Sequence, residues 1–326
     1  MKKETIFARY CSSALWTLLL VSGAVAQEPP VILDVQVENS VLYIGDVTDQ
    51  SRVARSPVPV TPIAQAQLGN FTRNIFLADV TAINGTRAKG VVAVAFQALR
   101  LNTAPAVGAA IADVNRQGIN EVVYEFLKAD GTSYGTIFGL DLVGSGPLAI
   151  IGGTGAFLGA RGTGTILDAN PVQRVTSQAE DPSMRRINGG GRFRSVFQIY
   201  PMFRPEVLVG PNGPVIIHSD YSAITSDRPA RPGEILILYA KGLGPTTPSV
   251  NPGDRYPREP FAVVNSPVEV LVDGRPSPAI NQIGLPGSSD VYHVAFRVPD
   301  DTAAGTARVQ ISAAWVTGSA VPIQVR

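Results

Sequence analysis

The chain has 326 residues, 45% hydrophobic and 16% charged, with a formal net charge of +1. That is ample apolar material for buried cores, and the near-neutral charge argues against a nucleic-acid binder, which is normally clearly basic. The one cysteine, Cys11, rules out an internal disulfide and a cysteine metal site.

The first 26 residues have the three parts of a secretory signal. Lys2, Lys3 and Arg9 make a positive start, Ala14–Val21 is a short apolar run, and Ala24-Val25-Ala26 is a small-x-small cleavage site before Gln27. The apolar run is much shorter than the ~20 residues a membrane span needs, and no later segment reaches that length. Cys11 precedes the apolar run, the wrong side for a lipid-accepting cysteine. The expectation is an exported protein, secreted, periplasmic or at the cell surface, with no membrane span once the signal is removed. Removal also takes Cys11 and a net two positive charges, leaving the remainder near −1.

From Gln27 onward the pattern is short β-branched runs separated by Gly, Pro, Asn and Asp, which predicts an all-β protein. Two short strands are expected at 31–37 and 40–47, followed by the Pro-rich connection Ser56–Pro62. Asn84-Gly85 sits between the apolar runs 71–83 and 91–99, and Asp130-Gly131 between 121–127 and 134–142. Both pairs are hairpin signals, because a tight two-residue turn needs residues that tolerate positive φ. Strands are also expected at 148–151, 164–167 and 192–200. Only 105–116 reads as a helix, and weakly.

The most distinctive stretch is Leu148–Gly162, LAIIGGTGAFLGARG. Gly153, Gly155 and Gly159 have a spacing reminiscent of a dinucleotide loop, but such a loop must open a helix. The continuation ARGTGT is a poor helix former and leads into another strand. The tract therefore predicts a glycine-rich hairpin, not a nucleotide site. Taken with Tyr124–Leu127 (YEFL), Asp130-Gly131, Tyr134–Ile137 (YGTI) and Gly139, it resembles the allene oxide cyclase and dirigent barrel superfamily over about residues 71–200. The resemblance implies an eight-stranded antiparallel barrel with an apolar pocket. It implies a small apolar or phenolic ligand, and chemistry without cofactor or metal. Within the tract Gly152, Gly153, Thr154, Gly155, Ala160, Arg161 and Gly162 match, whereas the His-Asp pair of plant dirigent proteins has no counterpart.

Prolines and glycines crowd residues 201–214, which predicts a boundary: a barrel domain over 27–205, a linker at 206–214 and a second domain over 215–326. In that last part PGEILILYAKGLGP (232–245), PVEVLVDG (267–274) and VAFRVP (294–299) resemble the IPT/TIG type of immunoglobulin-like module found at the C-terminus of exported bacterial proteins, notably of acidobacteria. The resemblance implies a β-sandwich that spaces or attaches, with a cell surface or polysaccharide as partner.

The candidate site residues lie in the barrel. Glu125 and Asp141, on neighbouring expected strands, are candidate catalytic carboxylates. Tyr124, Phe126 and Arg161 are candidate ligand-binding residues. Tyr124 and Phe126 share one strand face and Glu125 takes the other, but which face lines the lumen is open at this level. Arg185, Arg186, Arg192 and Arg194 form a local basic run, expected to be a solvated loop. His218-Ser219-Asp220 has triad residue types, but adjacent strand residues point to opposite faces. Three readings follow: a binding protein for a small apolar ligand, a cofactor-free cyclase, isomerase or dirigent-type enzyme, and a structural or adhesive protein with a filled barrel.

Overall fold

The computed structural model describes residues 29–44, 71–99, 117–142, 147–167, 174–177 and 180–326. The expected signal peptide, the Ser56–Pro62 connection and the helix expected at 105–116 lie outside the described residues.

Nine strands make the first sheet: β1 (Val31–Ile44), β2 (Phe71–Ile83), β3 (Thr86–Leu99), β4 (Gln117–Leu127), β5 (Ser133–Leu142), β6 (Leu148–Gly155), β7 (Arg161–Ile166), β8 (Arg174–Ser177) and β9 (Gly191–Tyr200). Each of β2 to β6 pairs antiparallel with the next, β7 pairs with β9, β9 with β1, and β1 with β2. The sheet thus closes on itself as an eight-stranded antiparallel barrel, leaving β8 as a parallel addition on β1. Closure removes the edge strands that would otherwise invite further pairing.

The turns form where the chemistry allows them. Asn84 and Gly85 have φ of +48° and +76° and join β2 to β3. At Asp130-Gly131 the Asp130 Oδ1 accepts the Thr132 amide at 2.8 Å. The glycine tract is strand, turn and strand, without a helix. Two glycines are required there by close approach. A Cβ on Gly153 would stand 2.2 Å from the Phe157 carbonyl oxygen, and one on Gly162 (φ +150°) 1.9 Å from that of Gln198. Phe157, at the turn, is fully buried beneath the barrel.

One departure lies in β1. The two short strands expected at 31–37 and 40–47 are a single strand over Val31–Ile44, bulged at Asn39 (φ +53°). The extra residue reverses the facing of the side chains. Before it, Val31, Leu33, Val35 and Val37 join the barrel core; after it, Leu42 packs on that core while Val41 and Tyr43 are buried on the other face. That outer face meets β8 and a 3-10 turn at Pro182–Arg186. Beneath this strap the carboxylate of Asp79 accepts from Arg185 (2.6 Å), Arg186 (2.8 and 2.9 Å) and Asn39 (3.0 Å).

The expected linker at 206–214 is structured. Glu206–Val207 pairs with the strand Ile235–Lys241, Val207 joins the second core, and Val209–Pro214 forms a small hairpin. The rest of the chain is a curled antiparallel sheet. The long strand Arg275–Gly284 pairs through its first half with Val268–Val272 and through its second half with Tyr292–Arg297, with a bulge between 279 and 281. The sheet wraps a core that includes Leu236, Leu238, Val270, Val294, Phe296 and Ile311. Asp273-Gly274 is another two-residue turn, with φ of +50° and +77° between Val272 and Arg275. A further one, Ala314-Trp315, has φ of +48° and +64° and projects into the floor of the barrel, where Ala314 and Val316 belong to the barrel's own core.

Candidate functional site

Along β4 the alternation is strict: Asn120, Val122, Tyr124 and Phe126 face inward, and Glu121, Val123 and Glu125 face outward. Directly opposed residues share a face, so register carries the assignment across the wall. Asn120 opposes Asp141, and Tyr124 opposes Ile137. On β9, Phe193, Ser195, Phe197 and Ile199 take the inward positions.

The inward side chains do not fill the barrel. At the end where β4 begins and β5 finishes they leave a cavity of about 370 Å3, walled by Phe76, Val94, Phe96, Val122, Phe193 and Phe197 among others. Below it the space is packed by aromatic rings. Tyr124 meets Phe197 edge-on at 4.7 Å between centroids, Phe126 lies 5.2 Å from Phe157 and 6.2 Å from Tyr134, and Tyr134 lies 6.2 Å from Trp315. The cavity therefore has an aromatic floor, closed in part by the C-terminal sheet.

Two polar pairs interrupt the apolar wall. Asn120 Nδ2 donates to Asp141 Oδ1 at 2.6 Å. Burial pushes the Asp141 carboxyl above its usual range, and the Asn120 hydrogen bond partly opposes this. Asn120 Oδ1 has no hydrogen-bond partner and is sealed from solvent. The second pair joins Tyr124 Oη and Ser195 Oγ at 3.1 Å. Burial raises the Tyr124 hydroxyl to about 12, against the lowering effect of Ser195, so it stays protonated at neutral pH. Asp141 is the one ionisable carboxylate among the described residues lining the cavity, and no Lys, Arg or His joins it.

The five candidate residues are separated by this geometry. Asp141 and Tyr124 line the cavity. Phe126 is buried below it, in the floor. Glu125 opposes Thr136 on the outer face of the wall, so the two carboxylates are not brought together. Arg161 is exposed at the far end of β7, its Nη1 donating to the Ala160 carbonyl at 3.0 Å. Sequence reasoning missed Asn120 and Ser195. The available signal was a polar residue in phase with inward apolar ones, at Asn120 before Val122 and at Ser195 between Phe193 and Phe197.

The remaining clusters hold no site. Three members of the basic run are held by carboxylates and are not a solvated loop: Arg185 and Arg186 clamp Asp79, and Arg194, on β9, pairs with Asp34. His218 is buried with Nδ1 2.6 Å from Glu234 Oε1 and Nε2 3.2 Å from the Arg228 carbonyl, while Asp220 holds Ser222 and Arg228. Among the described residues, no three His, Cys, Asp or Glu side chains converge on a point.

In comparisons with known proteins, no family model, curated protein or solved structure matches this chain.

Proposed function

We propose that the barrel holds one small, largely apolar ligand in its lumen, in an exported protein whose C-terminal sheet, read as an immunoglobulin-like module, serves as spacer or attachment. The observation that carries the reading is the cavity of about 370 Å3 left above an aromatic floor. Ligand pockets run from about 300 to 1,000 Å3 with mostly apolar walls and few polar groups. Each Å2 of apolar ligand surface dried there contributes roughly 25 cal/mol. A barrel serving only as a structural block gains by filling such a space, since voids forfeit packing. The likeness of residues 71–200 to the allene oxide cyclase and dirigent superfamily supports the same reading.

The test is titration with a neutral environment-sensitive dye such as N-phenylnaphthylamine. Saturable binding at one site per chain, abolished by Val94→Phe with the thermal midpoint kept or raised, is the expected result. Failure of the dye and of a panel of neutral apolar compounds to bind would leave the structural role instead.

A second reading, a cofactor-free cyclase or isomerase, is favoured by one observation: the Asp141 carboxyl sits in an apolar wall that raises its pKa. A carboxyl raised in this way is better suited to proton transfer than an exposed one. Turnover lost in Asp141→Asn with ligand binding retained would establish it.

A further inference from the structure

Among the described residues, the lining of the cavity carries charge of one sign: its one ionisable charge is the Asp141 carboxylate, and no described Lys, Arg or His joins it there. Asn120 Nδ2 donates to Asp141 Oδ1, and no described residue donates to Asp141 Oδ2. The amide is held this way round at a cost, because Asn120 Oδ1 is buried with no donor. An orphaned buried acceptor is destabilising, and an apolar residue here would avoid it. In this orientation the amide N–H favours the ionised form of Asp141, against the opposing effect of burial. Around this charge stand the rings of Phe76, Phe96, Tyr124, Phe193 and Phe197. Aromatic faces attract cations, most strongly where water is excluded.

We propose that the ligand is an organic cation, a protonated amine carried on an aryl or alkyl body. The inference rests on the cavity being a ligand site and adds the ligand's chemical class to it. The ammonium donates to Asp141 Oδ2, which neutralises the one charge on the described cavity lining, while its apolar body packs on the phenylalanine walls. A carboxylate ligand meets the opposite situation: a like charge in the wall and, among the described residues lining it, no cation to receive it. A neutral alcohol supplies one donor and leaves the Asp141 charge in place.

The experiment is calorimetric titration of the purified full chain with three compounds of one shape, phenylbutylamine, phenylbutanol and phenylbutyrate, at neutral pH. Phenylbutylamine is expected to bind at least about tenfold tighter than the alcohol, as a charge-assisted hydrogen bond in a partly buried site does, and phenylbutyrate more weakly than either. In Asp141→Asn the amine should fall to within about threefold of the alcohol on the same variant, the charge-assisted gain having gone. An alcohol that binds as tightly as the amine overturns the inference and leaves the cavity reading standing. An amine preference that survives Asp141→Asn also overturns it. Binding by neither amine nor alcohol overturns both. Should Asp141→Asn fail to fold, acid titration of the unaltered protein decides. The other polar groups lining this space, Asn120, Tyr124, Thr165 and Ser195, do not titrate between neutral pH and about pH 4. Amine affinity should weaken over that range as Asp141 takes up a proton; affinity that holds constant overturns the inference.

Discussion

The indole of Trp315, at the tip of a hairpin in the C-terminal sheet, lies 6.2 Å centroid to centroid from the ring of Tyr134 in the floor of the barrel. Ala314 and Val316 on either side of it are buried in the barrel's core, not in the core of their own sheet. The two parts of the chain thus share the packing beneath the cavity.

That sharing predicts the outcome of separating them. Residues 27–205 alone should fold less stably than within the full chain, because Tyr134 and Phe157 lose the cover of the hairpin. Trp315→Ala in the full chain should cost about 2–4 kcal/mol, in the range of large-to-small core changes. Trp315 is the only tryptophan after Ala26, so its emission reports on the floor directly. Denaturant curves followed by tryptophan emission and by circular dichroism should coincide in the unaltered protein. A Trp315→Ala variant as stable as the parent would show that the hairpin contributes nothing to the barrel.

Asp79 predicts an acid sensitivity. Burial raises its pKa, but hydrogen bonds from Arg186, Asn39 and Arg185 outweigh burial and bring it to about 2. A carboxylate depressed in the folded state contributes stability that is present above its unfolded pKa and lost as pH falls through the folded one. A shift of this size corresponds to about 2 kcal/mol, lost progressively between about pH 4 and pH 2. Asp79→Ala leaves Arg185 buried without its partner and should cost about 3–5 kcal/mol at neutral pH. Urea unfolding across that pH range would check both, and a variant with unchanged acid sensitivity would assign the acid loss to other groups.

Asp141 predicts the opposite sign. Its folded pKa is raised, so ionisation opposes folding and stability falls as pH rises through that value. Asp141→Asn should therefore unfold at a higher temperature than the parent at neutral pH. The difference should vanish as pH falls below the ordinary carboxylate range, where both are uncharged. Thermal scans at the two extremes measure it. A variant less stable at neutral pH would mean that the carboxylate supports the fold.

Gly162 predicts a folding failure. A Cβ there would overlap the Gln198 carbonyl oxygen at 1.9 Å with φ at +150°. Backbone of the neighbouring strand must move, so Gly162→Ala should cost more than about 4 kcal/mol, the diagnostic end of single-substitution effects. Soluble yield and the denaturation midpoint test it. Gly131→Ala, whose Cβ would meet nothing within 4 Å, is the milder control and should cost about 1–2 kcal/mol for its φ of +92° alone.

By itself the sequence determined most of the strands, though not the single long β1, β8 or the strands at 206–214, together with the Asn84-Gly85, Asp130-Gly131 and Asp273-Gly274 turns and the glycine hairpin, because a β-strand's period and a tight turn's φ are local properties written in consecutive residues. It also determined that Tyr124 and Glu125 face opposite ways. Only the tertiary structure decided which of them faces the lumen, because inside and outside exist only once β2 has paired with β1 and closed the barrel. The bulge at Asn39 was hidden for the same kind of reason: one residue in the left-handed region reverses every later side chain, and nothing in Glu38-Asn39-Ser40 requires it. The Ala314-Trp315 turn carries no glycine or asparagine, and its positive φ values are held by the barrel floor it packs against. The pairing of Asn120 with Asp141 joins residues 21 apart through register alone, and that register placed one carboxylate in the cavity and left Glu125 outside.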